Sequence, residues 1–435
     1  MKKKLFGAFL IFALLFLAMT YGILLEFVFF YPLFMSCMWM VGGVYFYYHW
    51  ERHSPGPEVL PPLMDHPFVS ILVPCYNESE NAAETIHSAA RQNYPNFEII
   101  AIDDGSRDDT GPMLNGLVAQ YPMLRVVHLA KNQGKAMALR MGALVARSEY
   151  LVCVDGDAVL APNATAYLVR PLINNPRIGA VTGNPRIRTR STLLGRVQVG
   201  EFSSIIGLIK RAQRVYGNIF TVSGVIAAFR RSALHRSGYW SLNMVTEDID
   251  VSWMLQLDHW GVHYEPNAIC WILMPETYKG LWRQRLRWAQ GGAEVFLKQV
   301  GKIGVWRNHR MWMLIFDYCL SVTWSYAFAL ALLLWAVGLI LPLPSWLIVP
   351  NILPRFWGLL LATVNLTQSM VALTIESRYE RHLYKTMLWM VWYPFAFWII
   401  TMLTAVVGFP KALFKRPGKR AHWVSPHRGF RWKIR

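Results

Sequence analysis

Apolar positions along the chain fall into three regimes. From Leu5 to Trp50 they run almost without interruption, and Glu26 is the only charged residue between Lys4 and Glu51. A membrane-spanning helix needs about 20 apolar residues, so this stretch predicts a helical hairpin with its turn near Glu26–Pro32. Met1-Lys2-Lys3-Lys4 looks like the start of a secretory leader, but the apolar run continues far past one and no small-residue cleavage pattern ends it. Apolar density returns after Met311. It predicts spans near 315–341, 356–375 and 387–409, broken by Pro342–Pro344 and by the charged loop Glu376–Lys385.

The middle regime has the rhythm of an α/β domain. Residues 54–67 hold five prolines and two acidic residues and read as a linker. Phe68–Cys75 is a continuous apolar run, the pattern of a buried parallel strand, and leads into a helix over about 79–92. Phe97–Ile102, Leu124–Leu129 and Tyr150–Val154 repeat it, with a helix from Lys135 to Ala146. Ile178–Arg188 and Ile219–Phe229 read as further strands, Thr246–Leu257 as a helix capped by Thr246, and Gly280–Lys302 as an Arg- and Trp-rich interfacial helix. Strand–helix alternation of this kind predicts a doubly wound, mostly parallel sheet whose ligands bind beyond the carboxyl ends of its strands. Tyr76, Asp104 and Asp155 all fall at such ends.

Charge refines the picture. The chain carries 44 Lys+Arg against 26 Asp+Glu, a net +18, which in a soluble protein would suggest nucleic acid. Here the positive residues cluster beside apolar segments, at Lys2–Lys4, Lys298–Arg310 and Lys411–Arg435. That placement fits the positive-inside rule and a lipid surface, and puts those flanks in the cytoplasm without nucleic acid as a partner. Two basic cytoplasmic flanks around three apolar stretches conflict, since an even number of crossings is needed; the 387–409 stretch, with Pro394 inside, is a candidate for a non-crossing segment. Five cysteines without paired spacing read as small buried hydrophobes in a reducing compartment.

Four short motifs occur in order within this frame: Asp103-Asp104-Gly105-Ser106, Asp155-Gly156-Asp157, Thr246-Glu247-Asp248 and Gln284-Arg285-Leu286-Arg287-Trp288. Each alone is equally a turn or a helix cap. Asp104 can accept a hydrogen bond from a uracil imide, with Asp103 supporting the turn. Asp155 and Asp157 project to the same side of an extended backbone, and hard oxygen ligands at that spacing suit Mg²⁺ or Mn²⁺ on a diphosphate. Lys135 adds a point charge on the phosphates or is a solvated helix-start lysine. Gln284, Arg287 and Trp288 share one helix face, where Arg287 can neutralise a departing diphosphate bidentately and Trp288 offers a flat face to a sugar ring.

Together these motifs resemble the processive, membrane-embedded family 2 glycosyltransferases, most closely the bacterial biofilm poly-β-1,6-N-acetylglucosamine synthases, over nearly the whole chain. The resemblance implies a GT-A α/β domain inserted between α-helical transmembrane segments. Its expected parts are a transmembrane hairpin (1–53), the linker (54–67), the glycosyltransferase domain (68–279), the interfacial helix (280–310), a transmembrane block (311–410) and a basic tail (411–435). Pro74, Tyr76 and Asp104 would form the uridine pocket. Asp155 would face the nucleotide, with Asp157 the metal ligand, and Asp248 would be the base that deprotonates the acceptor hydroxyl. Lys135 and Arg287 complete the donor site, and Thr246, Glu247, Gln284 and Trp288 the acceptor site, while Asp250 is structural.

The implied reaction is inverting polymerisation of N-acetylglucosamine from its UDP-sugar donor onto a growing polysaccharide acceptor. It would take place at the cytoplasmic face of a bacterial inner membrane, with export between the protein's own helices. Asn365, Thr367, Gln368 and Ser369 would line that path or bond neighbouring helices. The resemblance also implies a small membrane partner subunit and regulation by a cyclic dinucleotide. Chitin-, hyaluronan- or cellulose-like synthases, a non-processive lipid-linked sugar transferase and a silent membrane scaffold or receptor are the rival readings.

Overall fold

A computed structural model of the chain describes residues 2–20, 23–344, 347–349, 355–416 and 418. Between its apolar ends lies one mixed eight-stranded sheet in the order β3-β2-β1-β4-β7-β6-β8-β5. The strands are β1 (Val69–Cys75), β2 (Phe97–Asp103), β3 (Leu124–His128), β4 (Tyr150–Val154), β5 (Val159–Leu160), β6 (Ile178–Ile187), β7 (Ile226–Arg230) and β8 (Gly261–Ile272). β3, β2, β1 and β4 run parallel, the arrangement that helical crossovers produce. β7 then lies antiparallel to both β4 and β6, while β8 is parallel to β6. Every residue of β1 and β6 is buried, as expected of strands covered on both faces.

The strand expected over Ile219–Phe229 begins only at Ile226. Ahead of it the backbone bonds to side chains instead of a strand: Ile219 N–H donates to Gln256 Oε1 at 3.0 Å and Val222 N–H to Ser252 Oγ at 2.8 Å. Both acceptors belong to the helix Glu247–Leu257, so these residues form a strip across that helix rather than an extension of β7. Strand β8 and the helices Thr110–Val118, Ala164–Asn174 and Leu193–Glu201 are additions to the elements read from the sequence.

Helices Leu24–Glu51, Trp306–Gly338, Gly358–Glu376 and Tyr393–Leu413 are long and apolar enough to cross a membrane, and Lys4–Thr20 is a shorter apolar helix. Their outer faces carry exposed Phe9, Phe16, Phe34, Leu333 and Leu359, as suits a lipid environment. The hairpin turn expected near Glu26–Pro32 is displaced, because the second helix starts at Leu24 and keeps Pro32 inside it. Proline deprives the Val28 carbonyl of its helical donor, and Trp324 Nε1 supplies one at 2.9 Å. The second proline, Pro410, is met the same way, by Tyr326 Oη donating to Val406 O at 3.4 Å.

The apolar helices are fixed to the sheet domain at identifiable ends. Lys4 Nζ donates to the carbonyl of Ala412 at 3.1 Å, and Lys415 Nζ reaches Glu294 Oε2 and Asn243 O at 2.7 Å. The other end of the Lys2–Thr20 helix lies far along the bundle, where Leu15 and Met19 pack near Leu24, Ala327 and Ala331. Arg211, fully buried, pairs bidentately with Glu51 at 2.7 and 2.8 Å and with Glu376, which also binds Arg186. Those two glutamates close the second and fourth apolar helices, so both return to the domain. Tyr393 Oη donates to Glu201, so the Tyr393–Leu413 helix starts at the domain as well as ending there. The basic tail expected over 411–435 lies outside the described residues beyond Arg416, except for Gly418.

Candidate active site

Three strand ends converge at the carboxyl edge of the sheet. Asp104 N–H donates to Cys75 O at 2.9 Å, joining β2 to β1. Gly156 lies on the same strand end, where a Cβ would come 2.9 Å from Pro74 O. Asp103 supports its turn as expected: Oδ1 accepts from Ser106 N–H at 2.9 Å and Oδ2 lies 3.0 Å from His128 Nδ1. Tyr76, half-buried, leads into Asn77, whose N–H donates to Ser106 Oγ at 3.0 Å. Asp104 differs from the expectation. It is fully buried, and its carboxylate accepts the backbone N–H groups of Gln133 (2.9 Å) and Gly134 (2.8 Å). In this conformation it organises the turn that starts the Lys135 helix; a base could reach it only if that turn moved.

A cavity of about 1320 Å³ opens beside this edge, lined by Lys135, Asp155, Asp157, Thr246, Glu247, Asp248, Gln284, Arg287 and Trp288. All four motifs except the first therefore contribute to one space, and Pro74, Tyr76 and Asp104 lie outside its lining. Lys135 Nζ sits 2.5 Å from Asp155 Oδ1 and 3.4 Å from Glu247 Oε1, and donates to Gly224 O at 2.9 Å. Burial opposes its charge, but Asp155 and Glu247 more than compensate and raise its pKa above the ordinary lysine value. Glu247, expected on the acceptor side, thus shares the lysine that binds Asp155.

Asp248 lies in the first turn of its helix, with Oδ1 accepting from Ile249 N–H at 2.9 Å. Burial, reinforced by the neighbouring Glu247, pushes its pKa up to about 6 against the opposing charges of Lys135 and Arg287. A carboxylate with a pKa near neutrality is well matched to accept a proton at physiological pH. Gly224 faces it so closely that a Cβ there would come 2.9 Å from Oδ2.

Thr246 occupies the N-cap position but makes no capping bond. Its side chain is pressed against Gly291 of the Tyr278–Ile303 helix instead. Asp250, fully buried, receives Lys298 Nζ at 2.8 Å on both oxygens and pins the same two helices together, a structural role as expected. The helix expected to be interfacial, Tyr278–Ile303, is largely accessible only in its first half. From Gly291 onward Ala293, Val295, Phe296 and Leu297 are buried among Ala8, Ile11, Trp253 and Phe409. Arg285 pairs with Glu201 at 2.7 Å and lies 4.5 Å over the Trp288 ring, so one face of that tryptophan is already covered.

The sequence of the sheet domain matches the glycosyl transferase family 2 model over residues 70–238. A poly-β-1,6-N-acetyl-D-glucosamine synthase of Staphylococcus epidermidis is 40% identical over 418 residues, covering 93% of this chain and 98% of its own. The synthase of Staphylococcus aureus strain COL is 39% identical over 405 residues with the same coverage. The chain belongs to the poly-β-1,6-N-acetyl-D-glucosamine synthase family. It is a family 2 glycosyltransferase. Among solved structures, a mannosyltransferase from Pyrobaculum calidifontis, in complex with GDP-Man and Mn²⁺, shares the fold with a TM-score of 0.62 at 20% identity, covering 90% of this chain and 99% of its own.

For a synthase of this family the donor set at Asp155 and Asp157 fits a divalent cation. Among the described residues no group of three or more His, Cys, Asp or Glu side chains is placed to enclose a metal. A Mg²⁺-type ion, however, commonly takes only one or two carboxylates and draws its other ligands from substrate phosphates and water. Asp157, 6% exposed, and Asp155, which also meets Lys135, both line the cavity and match that mode.

Proposed function

We propose that this synthase polymerises N-acetylglucosamine from UDP-N-acetylglucosamine into a β-1,6-linked chain by an inverting displacement, and passes the product outward through its own apolar helices. The observation that carries this reading is the continuity of the cavity. Its wall runs from Asp155, Asp157 and Asp248 to Ser36, Ser325, Asn365, Gln368 and Ser369 on three apolar helices, with Trp39 and Trp324 beside them and Trp398 on a fourth. Hydroxyls, amides and aromatic faces inside an apolar bundle suit a sugar chain. Thr367 is outside this lining and bonds back to Thr363 O at 2.9 Å within its own helix.

In this reading Asp248 takes the proton of the acceptor hydroxyl as that oxygen attacks the anomeric carbon from the face opposite the diphosphate. Arg287 and Lys135 offset the charge that develops on the departing UDP. A Mg²⁺ or Mn²⁺ ion, held by Asp157, would act on the diphosphate as a Lewis acid. Pro74 and Tyr76 form the uridine side of the donor site, joined by Asp104 once the turn at Gln133 and Gly134 moves aside to free its carboxylate, and Gln284 and Trp288 form the acceptor side. Four helices leave and return to the domain in alternation, and the Tyr393–Leu413 helix begins and ends there. An even number of crossings supports the reading in which the catalytic domain and both basic flanks lie on the cytoplasmic side of a bacterial inner membrane. A small membrane partner and cyclic-dinucleotide control, implied by the family resemblance, belong to the same proposal.

The test is to give membranes containing the protein labelled UDP-sugars one at a time and digest the product with linkage-specific hydrolases. Polymer from UDP-N-acetylglucosamine that yields only to a β-1,6-specific enzyme supports the reading. Another donor or linkage overturns it.

A further inference from the structure

Lys135 and Lys210 both line the cavity, in contrasting surroundings. Lys135 stands between carboxylates. Lys210 is 6% exposed, and among the described residues no carboxylate lies within ion-pair distance of it. Its ammonium donates to Thr182 Oγ1 at 3.1 Å and lies 5.8 Å from the centre of the Tyr264 ring. An ammonium has three N–H donors, and buried lysines are rare without a partner. Burial pulls its pKa down to about 8, a shift that the charge of Asp248 opposes, so it remains largely protonated at neutral pH.

Its position distinguishes between the two substrates. Lys210 belongs to the helix Gly207–Tyr216, which is seated on the second apolar helix: Gly42 and Gly43 there leave room for Ala212 and Leu208. The Thr182 hydroxyl that accepts from Lys210 also accepts Ser223 N–H at 2.8 Å, and the next residue, Gly224, faces Asp248. The donor phosphates, in contrast, have Lys135 and Arg287. We infer that Lys210 donates to an oxygen of the acceptor sugar, a hydroxyl or an N-acetyl carbonyl, and so holds the attacking hydroxyl beside Asp248. This rests on the proposed polymerase reading.

The test uses the purified full chain with UDP-N-acetylglucosamine and a short soluble β-1,6-N-acetylglucosamine oligosaccharide as acceptor. Lys210→Met should raise the acceptor KM about tenfold or more, the range set by a charge-assisted hydrogen bond, with UDP affinity within about twofold of wild type. Lys210→Arg should recover part of that loss, which a purely structural role would not produce. Lys210→Gln, which keeps a donor without the charge, should fall between them and serves if the Met variant does not fold. An unchanged acceptor KM, or a fall in UDP affinity alongside it, overturns the inference. The polymerase reading fails separately, when wild type itself transfers no sugar from this donor to this acceptor.

Discussion

The side chain of Thr246 lies so close to Gly291 that a Cβ added to the glycine would fall 2.1 Å from its Oγ1. The helix-start carboxylates Glu247 and Asp248 and the arginine helix are therefore fixed in register by one missing methyl group. Gly291→Ala must push Thr246, and with it Glu247 and Asp248, away from the cavity. We expect destabilisation of about 1–3 kcal/mol, the usual cost of overpacking, together with a large loss of transfer rate. Gly116→Ala is the control, because a Cβ there meets nothing within 4 Å. Thermal unfolding and UDP release on both variants check the contrast, and equal behaviour would remove the proposed coupling.

The pH profile follows from Asp248. A base must be unprotonated, so turnover should fall as pH drops through about 6, where burial and Glu247 place the carboxyl. Glu247→Gln removes the neighbouring charge that raises this value and should move the acid limb to lower pH. Lys135→Met removes an opposing charge and should move it to higher pH. Initial rates from pH 5 to 8 at saturating donor decide the matter, and shifts of the opposite sign would contradict the assignment.

Asp157→Ala should abolish the effect of a divalent cation on UDP binding, since the diphosphate loses the carboxylate that holds the bridging ion. UDP affinity is compared with Mg²⁺ and with EDTA for wild type and variant. If EDTA weakens the variant as much as the wild type, Asp157 does not hold the metal.

Trp288→Ala should shorten the product while leaving UDP affinity near wild type, whereas Arg287→Ala should slow UDP release through lost stabilisation of the leaving group. Because Arg285 covers one Trp288 face, only the other can meet a sugar ring. Product length and UDP affinity on both variants separate the roles. Weaker UDP binding with normal elongation in Trp288→Ala would move the tryptophan to the donor pocket.

What the sequence revealed and what it hid have a common physical cause. Runs such as Phe97–Ile102 and Tyr150–Val154 are buried over almost their whole length, so their apolar continuity alone located them and the aspartates at their ends. Asp250 was legible as structural, but Lys298, which donates to it, lies 48 residues away. Long-range partners decided the rest. Pro32 reads as a turn until Trp324 is seen to satisfy Val28, and Thr246 reads as a cap until Gly291 is seen beneath it. Asp104 reads only as a uracil acceptor because its turn partners, Gln133 and Gly134, are about thirty residues further on. The charged cluster of Glu51, Arg186, Arg211 and Glu376 unites four distant segments and left no local pattern.

The most direct test of the account is Asp248→Asn in the purified protein, assayed for UDP affinity and for polymer formed from UDP-N-acetylglucosamine. The amide keeps the shape of the side chain but cannot take the acceptor's proton. The account predicts UDP affinity close to wild type and polymer formation reduced by about 10²–10⁴-fold, the usual contribution of a general base. Retention of more than about one tenth of the wild-type rate, against that expected range, would contradict it.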